Sequence, residues 1–524
     1  MQKPKQVRRL LTWCLLVPIL SLGISSPSVA SRFYDGGSGS STPFNQIAST
    51  QKRLDGIWVG AVVVSGIKVR LILRVTQNPA GPLTARLDVP DQGASDLPVE
   101  SITVEGQVVR FESSNLGTYE GTLSNDGSEI VGELKQPSVN HAITFKRVDK
   151  VPTLGRPQDP QKPYPYLEEK ISYENKADVV KLAGTLTLPR TKGPCPAVVL
   201  ITGSGTQDRN ETTAGHRPFL VLADHLTRLG IAVLRVDDRG IGGSARGSDT
   251  ATSENYVKDV LAGVEFLKSR AEINARQIGL IGHSEGGMIA PMAAIASRDV
   301  SFIVMMAGTG LPGDEVIELQ TDLILKTQGA EDEGRRLTRE LFAEVFGILK
   351  KKDDSATAEK QIRATLAAKT AAMTEAQRKG MGQMLAVIDT QLKQFYLSEW
   401  FRFFLRYDPR PTLKQVKVPV LAINGEKDLQ ATPKENLDAI AAALKEGGNK
   451  DFSIVLLPQL NHLFQNSKTG MPTEYAEIEE TISPIALKTV SDWILKRTGG
   501  TNLGRLSEMI DFRQPGMLLD SSIN

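Results

Sequence analysis

Cysteine is almost missing from this chain, with two residues in 524, Cys14 and Cys195. Histidine is scarce as well: His141, His216, His225, His283 and His462 make up all five. No H-E-x-x-H run and no Cys/His cluster occurs, so a metal site is not expected. Neither sign of charge is in excess, since 62 basic residues face 60 acidic ones. That balance gives no footprint for nucleic acid or for an anionic membrane surface. The Gly-rich stretch Val236-Asp237-Asp238-Arg239-Gly240-Ile241-Gly242-Gly243-Ser244 lacks both a Lys-Ser/Thr ending and a G-x-G-x-x-G pattern. It reads as a structural loop, not a nucleotide site, and no cofactor is expected.

The first residues read as a secretory signal. Lys3, Lys5, Arg8 and Arg9 precede an apolar stretch from Leu10 to Ile24, and Ser28-Val29-Ala30 is a small-residue cleavage site. The stretch is short for a membrane span and Pro18 interrupts it, although an uncleaved anchor is the rival reading. Leu11-Thr12-Trp13 before Cys14 is not a lipobox. An exported protein, periplasmic or secreted, is therefore expected, with no stable membrane span after cleavage. Cys195 alone would remain, so ordinary core burial must hold the fold.

Composition divides the rest. A signal over 1–30 is followed by a Ser/Gly-rich leader, 31–50. Short alternating strands over 51–149, with Asn125-Asp126-Gly127 as a hairpin turn, predict a small antiparallel barrel or sandwich. Five prolines mark 150–166 as a stiff, extended linker. From 167 to 310 and again from 412 to 498, unbroken apolar runs such as Ala197-Val198-Val199-Leu200-Ile201 alternate with helical stretches. Runs without polar alternation are strands buried on both faces, so the fold class is α/β, doubly wound around a mostly parallel sheet. Between them, 311–411 is Ala-rich, charged and helix-periodic, and ends in aromatics: Phe395, Tyr396, Trp400, Phe401, Phe403 and Phe404. An inserted helical cap is expected, whose aromatics line an acyl pocket or pack its core. A tail, 499–524, closes the chain.

The chain is organised around Gly282-His283-Ser284-Glu285-Gly286, between an apolar strand and a helical stretch from Glu285 to Ala296. This is the nucleophile-elbow pattern, G-x-S-x-G. A serine hydroxyl needs a base within hydrogen-bond reach and a group that orients the base. Where such an elbow carries a triad, the chain order is serine, acid, histidine. Only His462 follows Ser284, in a loop just after a predicted strand. His216, after the loop at Thr202-Gly203-Ser204-Gly205, is its rival. The acid should follow the strand Val418 to Ile423, which offers Asp428, favoured by its reach, or Glu426. Two backbone N–H groups should face the developing oxyanion. Glu285 N–H, directly after the serine, is one. Ser204 N–H is the choice for the other, with Gly203 and Gly205 as open alternatives.

With these residues in view, 170–498 resembles the α/β-hydrolase superfamily. More narrowly it resembles exported bacterial serine carboxylesterases with an N-terminal β-domain and a helical cap. The supporting stretches are Leu200-Ile201-Thr202-Gly203-Ser204-Gly205, Val233-Leu234-Arg235-Val236-Asp237-Asp238-Arg239-Gly240, Gly282-His283-Ser284-Glu285-Gly286-Gly287, Gly425-Glu426-Lys427-Asp428 and Asn461-His462. The resemblance implies hydrolysis of small carboxylic esters with short or medium acyl chains, with Ser284, Asp428 and His462 as triad and Ser204 and Glu285 as oxyanion donors. Two rivals stand beside it. One keeps the machinery for an aminopeptidase, thioesterase or lactonase; the other is an inert binding protein of the cell envelope.

Overall fold

The computed structural model describes residues 54–499 except 65–66, 78–80, 91–93, 114–115, 136–139, 152–154, 191–192 and 352. The expected signal and leader, and the tail beyond Gly499, lie outside the described residues.

Nine strands build the first sheet: β1 (Gly56–Val64), β2 (Ile67–Gln77), β3 (Leu83–Val89), β4 (Ala94–Pro98), β5 (Ser101–Glu105), β6 (Val108–Ser113), β7 (Gly117–Leu123), β8 (Glu129–Lys135) and β9 (Asn140–Val148). Their order is β4-β3-β2-β1-β9-β8-β7-β6-β5, so the first strand meets the last in mid-sheet. Alternation does the folding. In β6, Val109, Phe111 and Ser113 turn inward while Arg110 and Glu112 face water. One apolar core takes residues from Leu87 near one end of the sheet and Ile102 at the other, so the sheet curls into an open half-barrel. A two-sheet sandwich, the other expectation, is not what forms. Side chains fill the interior: Phe111 stacks on Tyr119 with ring centroids 5.0 Å apart, and Phe145 meets Tyr119 edge-on at 5.2 Å. The expected hairpin turn at Asn125-Asp126-Gly127 joins β7 to β8.

The stretch expected as an extended linker is docked instead. The Arg156 guanidinium donates to the carbonyls of Ala214, Gly215, Ala476 and Ile478. Gln158 donates to Ile482 O at 2.7 Å and accepts from Ile482 N at 3.0 Å. A proline run leaves its own carbonyls unpaired, but its polar side chains here satisfy the open backbone of two neighbouring loops.

The second sheet holds β10 (Leu167–Asn175), β11 (Val180–Leu188), β12 (Cys195–Ile201), β13 (Ala232–Val236), β14 (Ile273–His283), β15 (Phe302–Met306), β16 (Val420–Gly425) and β17 (Phe452–Leu457). Their order is β10-β11-β13-β12-β14-β15-β16-β17. The pairs β10–β11 and β11–β13 are antiparallel and all others parallel. The connecting helices are α1 (Pro218–Arg228), α2 (Ser253–Lys268) and α3 (Glu285–Ala296). Between β15 and β16 come α4 (Gly313–Thr327), α5 (Asp332–Leu349), α6 (Ser355–Ala372), α7 (Glu375–Gln391), α8 (Glu399–Arg406) and α9 (Arg410–Gln415). Then follow α10 (Pro433–Glu446) and α11 (Pro484–Thr498).

The unbroken apolar runs have a simple cause. In β12, Ala197, Val199 and Ile201 enter a core with α2, α3 and α10, while Val198 and Leu200 enter a second core with α1 and α11. Neither face of the strand meets water, so neither carries polar residues. Helices α4 to α8 form the cap around a third core that includes Phe342, Phe346, Tyr396 and Phe401, and Met288 of α3 joins it. Tyr396, Phe401 and Phe404 are buried in that core, so packing is the role these aromatics take.

Candidate active site

The C-terminal ends of the parallel strands carry the candidate residues, the edge at which open α/β sheets bind ligands. Ser284 sits between β14 and α3 at φ +54°, ψ −116°. That strained turn is possible because its neighbours lack side chains. A Cβ on Gly282 would lie 1.9 Å from Gly286 O, and one on Gly286 would lie 2.2 Å from Ile201 O. Ser284 is partly exposed, while His283 and Glu285 on either side are buried. Helix α3 runs unbroken through Pro291 despite the lost donor.

Asp428 follows β16 and His462 follows β17. The structure brings them together, with His462 Nδ1 2.8 Å from Asp428 Oδ2, both side chains buried. The other carboxylate oxygen of Asp428 accepts from the N–H groups of Gln430 at 2.7 Å and Ala431 at 2.9 Å, which fixes its orientation. A carboxylate only accepts, so Nδ1 of His462 carries a proton toward it. The loop is held by Asn461, whose Oδ1 accepts from Leu463 N and Gln465 N. Glu426 turns elsewhere and accepts from Gln459 N at 2.9 Å. His216, the rival base, is buried between Thr481 Oγ1 at 3.0 Å and Tyr475 O at 2.8 Å, a bridge between loops.

The elbow and the His462 loop meet through His283. Its Nε2 lies 2.9 Å from His462 O, and the two imidazole centroids are 4.9 Å apart. The loop after β12 passes beside Ser284, since a Cβ on Gly203 would lie 3.3 Å from Ser284 Cβ. Gly203 N–H donates to Glu211 Oε1 at 2.7 Å, which removes Gly203 from the candidate oxyanion donors. Ser204 N–H is the next along, and among the described residues no acceptor meets it.

Three buried carboxyls escaped the sequence reading. Glu211 bonds Gly203 and His283. Burial drives the Glu285 carboxyl upward against hydrogen bonds from Ser253 and Trp400 that pull it down. Burial likewise pushes Asp238 well above the carboxylate range, although Gln207 N–H and the Thr202 hydroxyl bond it. The Gly-rich loop after β13 is committed to structure, with Arg239 paired to Asp178 at 2.8 Å and Asp259 at 2.5 Å. Proximity in sequence to the elbow and to the oxyanion loop was the available signal for Glu285 and Glu211, and the Gly-rich stretch that contains it was the signal for Asp238.

An elbow serine between the fifth and sixth strands of such a sheet, with an acid–histidine pair on the loops after its last two strands, defines an α/β-hydrolase. Comparisons with known proteins show what the chain is similar to. A family model described as serine aminopeptidase, S33, matches residues 217–383, a span that contains Ser284 and most of the cap. The esterase EstD of Thermotoga maritima is 27% identical over 384 residues, covering 72% of this chain and 79% of its own. The human mitochondrial palmitoyl-protein thioesterase ABHD10 is 29% identical over 147 residues, covering 28% of this chain and 42% of its own. Among solved structures, a Pyrococcus furiosus esterase aligns with a TM-score of 0.37 and 15% identity over 64% of this chain and 92% of its own. The chain has the α/β-hydrolase fold.

Proposed function

We propose that this protein is a serine esterase that cleaves carboxylic esters of short to medium acyl chain through an acyl-enzyme. The observation that carries the reading is the 2.8 Å bond from His462 Nδ1 to Asp428 beside the elbow. It leaves Nε2 as the base, available to the Ser284 hydroxyl. In this reading Ser284 attacks the ester carbonyl and His462 takes the proton. Asp428 steadies the imidazolium, and Ser204 and Glu285 N–H groups receive the oxyanion. His462 then returns the proton to the leaving alcohol. A water activated by the same base releases the acid.

The test is labelling of the purified protein with a fluorophosphonate, with peptide mapping. Modification at Ser284, and loss of about 10⁴-fold or more of turnover in folded Ser284→Ala and His462→Ala variants, is expected. Wild-type turnover in Ser284→Ala would remove the reading, and no modification of the folded protein would bring the binding-protein alternative forward. The family model's description and the thioesterase relative keep amide and thioester substrates in play. Parallel assays of matched ester, thioester and amide substrates decide, and amide cleavage equal to ester cleavage would favour the peptidase.

Export, with cleavage after Ala30, is part of the same proposal. Its support is the basic start, the apolar stretch and the small-residue site in residues 1–30. N-terminal sequencing of the protein made in cells that export it should read from Ser31.

A further inference from the structure

Glu211 lies in the loop after β12, 2% exposed and at φ +53°, a conformation that non-glycine residues avoid. The loop is built to hold it there. Asp208 accepts from the backbone of Asn210 and Thr212 and from the Thr212 hydroxyl, and Glu211 N–H donates to Asp208 O. Arg209 is bound side-on to Asp237 of the neighbouring strand end. Glu211 Oε1 then accepts two bonds, from Gly203 N–H at 2.7 Å and from His283 Nδ1 at 2.9 Å.

His283 faces only acceptors. Its Nδ1 meets a carboxylate and its Nε2 meets the main-chain carbonyl of His462 at 2.9 Å. Satisfying both requires a proton on each nitrogen, hence an imidazolium, with Glu211 as its counter-charge. Asp428 also acts on it by charge, while the rings of His462 and Phe464 pack against it. Burial is the largest influence and works against the charged ring, but Glu211, the His462 carbonyl and Asp428 together outweigh it and His283 is held above the ordinary histidine range.

We propose that Glu211 is a positioning residue for the reaction: through a doubly protonated His283 it locks the oxyanion loop, the elbow and the His462 loop into one frame. The inference rests on the reading of Ser284 and His462 as nucleophile and base. Three segments far apart in the chain must meet within a fraction of an ångström for a triad and an oxyanion hole to work together. Glu211 and His283 join all three without touching substrate. Because Gly203 N–H is consumed by Glu211, the loop presents the following N–H, that of Ser204, as its donor.

Glu211→Gln is the sharp variant. It keeps the size and an oxygen acceptor but removes the charge, so His283 loses its second proton near neutral pH and gives up one of its two bonds. The expected result is a fall in kcat of about 10- to 100-fold, less than the roughly 10²–10³-fold of a deleted oxyanion donor because the donor is displaced and not removed, with KM changed less than about threefold. The ratio of variant to wild-type kcat should recover as pH is lowered and His283 regains its proton. A merely structural glutamate would give a pH-independent ratio. A folded Glu211→Gln enzyme with wild-type kcat, or with a flat ratio, overturns the proposal.

Should the variant not fold, nitrogen-15 histidine NMR of the wild-type protein decides, with the His283 signals assigned by their loss in His283→Gln. Two protected ring protons on His283 between pH 6 and 8 are expected, and a single one overturns the proposal. Failure of the underlying reading looks different. In that case the wild-type protein itself leaves Ser284 unlabelled by a fluorophosphonate, whatever Glu211 does.

Discussion

Trp400 of α8 donates its indole N–H to Glu285 Oε1 at 2.8 Å, so the cap is bonded to the residue that follows Ser284. The same oxygen accepts from Ser253 Oγ at 2.6 Å, at the start of α2. One carboxyl thus ties the cap, the elbow and a helix of the sheet domain. Trp400→Phe keeps an aromatic ring to stack on Phe404, where the centroids are now 5.9 Å apart, and deletes the donor together with the pyrrole part of the indole. The expected cost is about 1–2 kcal/mol, read as a lower denaturant midpoint. Turnover should fall a few-fold, because the cap then sits less firmly over the elbow. A midpoint and a kcat equal to wild type would show that the bond couples nothing.

The pH response of Glu285 has a definite sign. Burial raises its folded pKa above the unfolded value, so its contribution to stability is whole below about pH 4.3 and is lost as pH rises through the folded value. Glu285→Gln retains an acceptor for Trp400 and Ser253 and removes the titration. The variant should therefore gain stability relative to wild type at pH 8 and show no gain at pH 4. Denaturant titrations at the two pH values check it, and an equal difference at both would refute the buried-carboxylate account.

Two glycines make a contrasting pair. Gly282→Ala puts a methyl 1.9 Å from the Gly286 carbonyl, where no flexible side chain can yield, and should abolish soluble folded enzyme. Gly347→Ala, inside α5 with open space around its Cβ, should stabilise the cap by about 0.5–1 kcal/mol. Soluble expression and thermal melts of both variants measure this.

The docked linker should resist proteases. Arg156→Ala removes the bonds to four carbonyls that fasten it, so cleavage within 155–166 is expected to become fast and to release the half-barrel. Limited proteolysis with mass mapping follows it. A linker equally resistant in both proteins would mean that Gln158 and the Tyr166 hydroxyl, which donates to Asp224 Oδ1 at 2.9 Å, suffice to hold it.

Much of this fold was written in local pattern. Strands such as β12 and β15 announce themselves because burial on both faces leaves nothing polar in them, and α3 begins and ends where its residues suggest. Asp428 and His462 were legible because chain order and strand ends restrict where an acid and a base can stand. Glu211 was not, for its partners lie 8 and 72 residues away and no periodicity links them. Trp400 looked like one aromatic among several until its N–H met a buried carboxyl. The linker misled for a related reason: proline content predicts the shape of the backbone but not what Arg156 will grip. Local pattern reports on solvent, whereas these contacts depend on which loops the completed sheet brings face to face.

The cap's position in the chain has a consequence for the order in which the molecule is made. Its helices are translated after Ser284 and before Asp428 and His462, and the bond from His283 to His462 spans 179 residues. Contacts so distant in sequence form late, once loop closure has been overcome. On the proposed mechanism, a ribosome that has delivered the half-barrel, the elbow and the whole cap has still delivered a serine with no base. Turnover thus reports the arrival of the last two strands, and any chain interrupted before His462 is expected to be silent however much of it has folded.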